Sequence, residues 1–404
     1  MPLLKVIVNR LNKRKGPVAD FSDKSNIVGV VNKDFIFEGD EVTNLPAGLG
    51  KWYKDRDGHF YWGGGVASFE VASDALSIIN PAIRDQANEL TKDFQNSIKS
   101  ENEKYSDKIS YAHIQLEIPL LWNLLGTKGE EVRVAVVDTG IDKDHPDLKT
   151  VEGISLVSED SSDFDDFSGH GTNCAGLIGA KGNHVFGVAP ACELYGIKIL
   201  QGKRFKISDN PFKLFESAFR HIIELNKNPA KKIDILSISL GIDTFEASQI
   251  LHLDSLIEQI ASDSIVLVSV GDDGNSFETR FFPAISNHVV CVGAANRSLD
   301  VLPSSMLHRK LAFLSPGDKL LATDLINISP ECEFSDSSAA TAFAAGVFAL
   351  LQSYNRKKSN YSNEKLMRLV IDNCLVPDMP DKNLFGSGLL YPLKSFLNYD
   401  NTNV

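Results

Sequence analysis

From residue 113 onward, short apolar runs alternate with stretches whose apolar positions recur every three or four residues. The runs are Val132–Val137, Glu193–Ile199, Ile233–Ser239, Ile265–Val270 and Val289–Val292. Each is short and almost continuously apolar, with Gly or Asp close behind it, as expected of strands covered on both faces. Strands of this kind alternating with helical patterns predict a parallel sheet between helix layers. Functional groups in such sheets collect at the carboxyl ends of the strands. That rule directs attention to Asp138, to Ser239–Gly241 and to Gly271–Gly274.

The first seventy residues follow a different pattern. Val6–Val8 and Ile27–Val31 are β-branched runs bounded by turn formers, and Asp57-Gly58 lies between Trp52-Tyr53 and Phe60-Tyr61-Trp62, a hairpin signal. Leu76, Ile79, Ile83, Ala87 and Leu90 then recur at helical spacing ahead of a charged stretch. Three parts are expected: 1–70, a small all-β barrel; 71–112, a helical connector; and 113–400, the α/β domain. The segments NRLNKRKGP, IVGVVNKD and KWYKDRDGHFYWGGG resemble a bacterial SH3-type domain. Trp52, Tyr53, Tyr61 and Trp62 are either its core or the lining of a groove for a peptide or glycan ligand.

Composition narrows the function classes. The 404 residues are 43% apolar and 23% charged, with a formal net charge of −12. Residues 1–70 are nearly neutral, with 10 basic and 9 acidic side chains, so the acidity belongs to the larger part. An acidic chain of this kind is not a general nucleic-acid binder. No run of 18 apolar residues occurs, so no membrane-spanning helix is expected. The N-terminal apolar run is too short for a signal-peptide core, which points to the cytoplasm. The five cysteines, at 174, 192, 291, 332 and 374, form no CxxC pair and read as buried thiols in a reducing compartment.

Three segments carry candidate chemistry. Asp138 ends the run Val134–Val137. Ser168-Gly169-His170-Gly171-Thr172-Asn173 opens a helical run, and Ser335-Asp336-Ser337-Ser338 heads a helix of small residues. Together they supply the parts for nucleophilic acyl transfer: a serine hydroxyl, a histidine to take its proton, and an acid to orient the imidazole. The order Asp, His, Ser is that of the subtilisin variant of the triad.

VAVVDTGIDKDHPDL, SGHGTNCAGLIGA, GVAPACELYGIKIL, DILSISLG and SDSSAATAFAAGV resemble successive blocks of the subtilisin-like serine proteases, over roughly Leu116–Phe396. The resemblance implies a subtilisin-like parallel sheet sandwiched by helices and a serine endopeptidase acting on protein or peptide substrates. It assigns Asp138 as orienting acid, His170 as general base and acid, and Ser338 as nucleophile. Ser239, Leu240 and Gly241 would pair with extended substrate, with Ser269, Val270 and Gly271 as the opposite wall. The oxyanion site would fall to Asp272 and Ser337.

Departures from the family pattern qualify that reading. Most members have Asn where Asp272 stands, and its amide donates to the oxyanion. An ionised carboxylate has no such proton, and loss of this donor in subtilisin costs ~10²–10³ in kcat. Asp336 replaces a family Gly and Ala342 a Pro. The alternative function is therefore a weak or inactive homologue serving as a peptide-binding or sensor module. Glu159–Asp166 holds five acids in eight residues and would favour basic substrates if it lined the substrate rim. No cofactor is implied for certain and no metal-ligand set is assigned. Calcium remains an option at Asp147, although the loop Ala180–Phe186 looks shortened. Cys174, four residues after His170, is either simply buried near the site or a point of sensitivity to thiol reagents.

Overall fold

The computed structural model describes residues 3–6, 10–15, 17, 27–32, 36–42, 45, 52–55, 58–62, 66–68, 104–105, 107–148, 151–202, 205, 209–243, 245–272, 281–306, 308–358, 361–376 and 385–399. The chain divides into two compact units, Met1–Asn96 and Ser97–Val404.

In the first unit, β1 (Leu3–Val6), β2 (Arg10–Arg14), β3 (Ile27–Asn32), β4 (Ile36–Glu41), β5 (Trp52–Asp55), β6 (Phe60–Trp62) and β7 (Val66–Ser68) pair antiparallel in the order β3-β2-β6-β5-β4-β1-β7. The hairpin of β5 and β6 pairs Trp52 with Trp62 and Tyr53 with Tyr61. Gly58 takes φ +84° there, a left-handed turn conformation that glycine adopts freely. Trp52 and Tyr61 are fully buried, so these two are core rather than groove lining, whereas Tyr53 is only half-buried. The expected helical connector lies almost wholly outside the described residues.

The second unit begins with α1 (Tyr111–Gln115) and α2 (Ile118–Leu125). Its sheet comprises β8 (Arg133–Asp138), β9 (Glu152–Ser155), β10 (Glu193–Lys198), β11 (Ile235–Ile238), β12 (Ile265–Ser269), β13 (Val290–Ala295) and β14 (Leu311–Pro316). All pair parallel, in the order β14-β13-β12-β11-β8-β10-β9. Five of these strands match the apolar runs. β9 and β14 are additional: β9 is a polar edge strand with one buried residue, and β14 ends in Ser315-Pro316.

Alternation along the strands divides the core into two faces. Ala135 and Val137 of β8, Leu236 and Ile238 of β11, and Val266 and Val268 of β12 pack with α4 (Pro211–Asn226) and α5 (Ala247–Ala261). The opposite face is covered by α3 (His170–Gly179) and α6 (Asp336–Lys358). A short antiparallel pair, β15 (Leu320–Ala322) and β16 (Cys332–Phe334), lies beside α3, and α7 (Asn363–Asp372) and α8 (Pro392–Leu397) complete the unit.

The helix α6 is buried from Ser337 to Asn355, which explains its Ala-rich sequence: small side chains let neighbouring elements enclose it on all sides. Small residues also let α3 come close to its neighbours. A Cβ on Gly176 would fall on the Thr323 side chain, well inside van der Waals contact. Gly176→Ala is therefore expected to destabilise the second unit by about 2–3 kcal/mol through overpacking, read as a lower denaturant midpoint with an unchanged m-value.

Candidate active site

Asp138 is the last residue of β8 and is almost completely buried. One of its oxygens, Oδ1, accepts the Thr139 N–H at 2.7 Å and pairs with His170 Nδ1 at 2.8 Å. The pair fixes the imidazole with a proton on Nδ1 and leaves Nε2 as the basic nitrogen. Close approach of the two elements depends on Gly140 and Gly171. A Cβ on Gly171 would strike the Gly140 carbonyl, and Gly140 itself takes φ +109°.

His170 is the first residue of α3, whose preceding residue Gly169 has no side chain to cap the helix. Asp166 supplies that function from four residues upstream. Its carboxylate accepts the Thr172 N–H at 3.0 Å, the Thr172 hydroxyl at 2.8 Å and the Ser168 N–H at 2.8 Å. The Thr172 hydroxyl in turn accepts the Asp142 N–H at 3.0 Å, and an Asp142 oxygen accepts the Ile326 N–H at 2.7 Å. Thr323 closes the ring by donating its hydroxyl to the Thr172 carbonyl at 2.7 Å. The acid-bearing turn, the histidine helix and the 323–326 segment thus form one hydrogen-bonded assembly. Burial opposes charge on the His170 ring, but the Asp138 charge and hydrogen bond outweigh it and hold the imidazole above its ordinary value. The ring is 26% exposed, with Phe334 edge-on at 5.4 Å.

Ser338 lies in the first turn of α6. Its hydroxyl donates to the Ser239 carbonyl at 3.0 Å, and the Ser239 hydroxyl donates back to the Ser338 carbonyl at 3.2 Å. The hydroxyl proton is therefore directed at the end of β11 in this state and not at His170. Leu240 and Gly241 continue from Ser239 as a half-buried segment, and Ile242 bridges to Phe282 with N–H···O distances of 2.8 Å in both directions. By contrast Ser269, Val270 and Gly271 are buried. The Val270 N–H is committed to the Val292 carbonyl and the Gly271 carbonyl to the Met306 N–H, so these two backbone groups are paired within the protein.

Asp272 and Ser337 are brought together, but not as two parallel donors. Asp272 Oδ1 accepts the Ser337 N–H at 2.7 Å, and the Ser337 hydroxyl accepts the Gly271 N–H at 3.2 Å. Asp272 counts as an exposed residue by surface area, yet the atoms crowded around its carboxyl exclude part of its hydration. That desolvation pushes the carboxyl up to about 6; the Asp336 charge adds to the rise, and the Ser337 hydrogen bonds and His170 oppose it. Asp336 has φ +82°, a left-handed backbone that favours glycine and is uncommon for a side-chain-bearing residue. Its carboxylate accepts the Ser304 hydroxyl at 2.6 Å.

Two expectations change here. In the acidic segment 159–166 one of the five acids, Asp166, leaves the expected rim, while Glu159 and Asp160 are exposed. Asp166 is buried as the helix cap, Asp165 pairs with Lys143 at 3.7 Å, and Asp163 and Asp160 accept Ser158 and Ser162 hydroxyls. Asp147 does not present a calcium ligand set either: its buried carboxylate is enclosed by the N–H groups of Asn183, His184 and Val185. Sequence reasoning missed Asp142, Thr172 and Thr323, and placed Asp166 on the substrate rim. An acid four residues ahead of a helix that starts on His-Gly-Thr was the signal for its capping role.

Among the described residues, Asp138, His170 and Cys174 place ligand-type atoms within 4.8 Å of one another. Cys174 is fully buried, and burial together with the Asp138 charge pushes its thiol well up, which keeps it protonated. All five cysteines are free, and Cys332 alone is not fully buried.

A buried Asp–His pair at a strand end and a serine in the first turn of a helix, carried on a parallel sheet in the order Asp, His, Ser, are the parts of a serine hydrolase. The subtilase family model matches residues 129–388, and the chain belongs to that family. It is 31% identical over 287 residues to an intracellular serine protease of Paenibacillus polymyxa, covering 68% of this chain and 83% of that protein. It is 27% identical over 289 residues to the major intracellular serine protease of Bacillus subtilis, covering 68% and 85%, and 30% identical over 255 residues to subtilisin NAT, covering 62% of each. The chain is accordingly a subtilisin-like serine endopeptidase.

The thiol environments give a direct expectation. Burial pushes Cys192, Cys291 and Cys374 up to about 12 and Cys332 to about 11. Native protein treated with iodoacetamide near pH 8 is expected to label Cys332 first, and slowly, with Cys174 unmodified by peptide mass spectrometry until the protein unfolds. Early Cys174 labelling would show that the site opens more than this geometry allows.

Proposed function

We propose that the enzyme hydrolyses peptide bonds through an acyl-enzyme on Ser338, with His170 as proton carrier and Asp138 as its orienting anion. The observation that carries the reading is the Asp138–His170 hydrogen bond at the carboxyl end of β8. In the reaction, Ser338 Oγ bonds to the substrate carbonyl carbon as its proton passes to His170 Nε2, and His170 then protonates the leaving amine. Water repeats the sequence to release the acyl group. Extended substrate pairs along Ser239–Gly241 and competes for the Ser239 carbonyl, which frees the Ser338 hydroxyl for His170.

Asp272 is the weak point of this machinery. Ionised, it accepts the Ser337 N–H and repels a developing oxyanion; protonated, it keeps one oxygen for that N–H and gains an O–H to donate. Protonation is lost as pH rises through about 6. His170 must lose its proton to act as a base, and its affinity for that proton is raised. The two requirements oppose each other, so the active combination of protonation states is a minor one, and activity rises as His170 loses its proton and falls as Asp272 loses its own. This favours a slow peptidase over the inactive sensor reading, because each group is present and only their protonation states conflict.

The N-terminal unit is read as an SH3-like adaptor that holds a peptide or glycan, supported by its seven antiparallel strands and by the half-buried Tyr53. A cytoplasmic setting agrees with the free cysteines and with the names of the intracellular relatives. Within the described residues, no helix is long and apolar enough to cross a membrane.

A fluorophosphonate probe across pH 5–8 tests the core of the proposal. Labelling is expected in the native chain and absent in Ser338→Ala; Ser338-independent labelling, or none at any pH, contradicts it. Asp272→Asn is expected to raise kcat at pH 8 by on the order of 10- to 100-fold and to remove the alkaline fall in the pH profile. An unchanged profile would show that Asp272 plays no part in holding the oxyanion.

A further inference from the structure

The segment between α3 and β10 turns through Lys181–Phe186, with Lys181 and Phe186 bridged antiparallel and the Gly182 N–H donating to the Val185 carbonyl at 2.9 Å. Its polar groups are sorted by sign. Three successive N–H groups, of Asn183, His184 and Val185, go to the carboxylate of Asp147, and the Asn183 side-chain amide donates to the Pro146 carbonyl at 2.9 Å. The carbonyls of Gly182 and Asn183 instead converge on one cation, the ammonium of Lys108, at 2.9 and 3.0 Å. Lys108 is anchored along its own backbone: its N–H donates to the Tyr105 carbonyl at 2.9 Å, and its carbonyl accepts the Phe186 N–H at 2.7 Å.

This donor set does not suit calcium. The ion takes six to eight oxygen ligands at about 2.3–2.6 Å, carboxylates among them. Here the neighbouring carboxylate faces N–H donors, and two loop carbonyls already bind a positive group. A divalent ion at those carbonyls would lie within a few ångströms of the ammonium and be repelled by it.

We propose that Lys108 is the resident cation of the 181–186 loop, satisfying its converging carbonyls and making the α3-to-β10 connection independent of metal. The ammonium suits the task because it carries three donors on a flexible stem: two reach the Gly182 and Asn183 carbonyls and the third is left for solvent. The consequence reaches the site, since the loop leaves the C-terminal end of the helix whose first residue is His170. A lysine tether fixes that end with a cation that chelators cannot remove.

Thermal unfolding of the full chain tests this, in a Ser338→Ala background that prevents self-digestion. The unfolding temperature is expected to agree within about 1 °C between EDTA and millimolar calcium chloride, while Lys108→Met, which keeps the stem and removes the charge, lowers it by about 2 °C or more. A parent chain that gains stability with calcium and loses it with EDTA overturns the proposal, as does Lys108→Met unfolding at the parent temperature. If Lys108→Met does not fold, the calcium comparison on the parent chain still decides. None of these results depends on peptidase activity, so failure here leaves the acyl-enzyme reading standing.

Discussion

A carboxylate buried at the end of a central strand is the constraint around which the second unit is arranged. Asp138 emerges from β8 between β10 and β11, where water does not reach it, and an unpaired charge there would be costly. Its partners are the Thr139 N–H and the His170 ring, so the helix that begins at His170 must arrive within hydrogen-bond distance of the strand end. That approach explains the glycines at 140 and 171, which leave no side chain between the two backbones. The helix then needs a cap that does not crowd the histidine, and Asp166 provides one from outside the helix.

The same logic makes the start of α6 a contested place. A helix N-terminus offers N–H groups and a partial positive charge, attractive to any anion. In a serine hydrolase that region should be open to the oxyanion. Here a carboxylate of the protein, Asp272, already accepts the Ser337 N–H. The helix end is thus occupied by an internal anion, and Asp336 adds a second charge beside it. The elevated Asp272 carboxyl reflects that conflict: desolvation and Asp336 favour the proton, while the helix amide favours the charge. Desolvation and Asp336 thus bring the Asp272 carboxyl into the range where the acidity of the medium sets its charge.

The central sheet was legible because its strands are buried on both faces and appear as continuous apolar runs. β9 was not, since an edge strand with one fully buried residue, in the sequence EGIS, carries little pattern. The hairpin of the first unit announced itself through Asp57-Gly58, but sequence alone could not decide whether its aromatic residues faced inward; burial settles this for Trp52 and Tyr61. Asp138, His170 and Ser338 stood out as blocks because each has local company of a special kind: a strand end, flanking glycines, a run of small residues. What stayed hidden were relations between blocks. Thr323 and Thr172 are 151 positions apart and meet only when α3 packs beside β15.

Acidic residues illustrate why composition underdetermines function. A surplus of carboxylates near the site suggested an exposed field to attract basic substrates. Of the acids in 159–166 only Asp166 is buried, and like Asp142 and Asp147 elsewhere it accepts backbone N–H groups from a loop or helix start. An ionised carboxylate is acceptor-only and can take several N–H donors at once, which makes it an efficient organiser of turns whose amides have no helix or sheet partner. Organising one side of a turn leaves its carbonyls to be satisfied from elsewhere. At 181–186 Asp147 takes the N–H groups and Lys108 takes the carbonyls, so the negative and positive side chains divide one loop between them. These buried carboxylates are therefore internal scaffolding, which the total charge of the chain does not reveal.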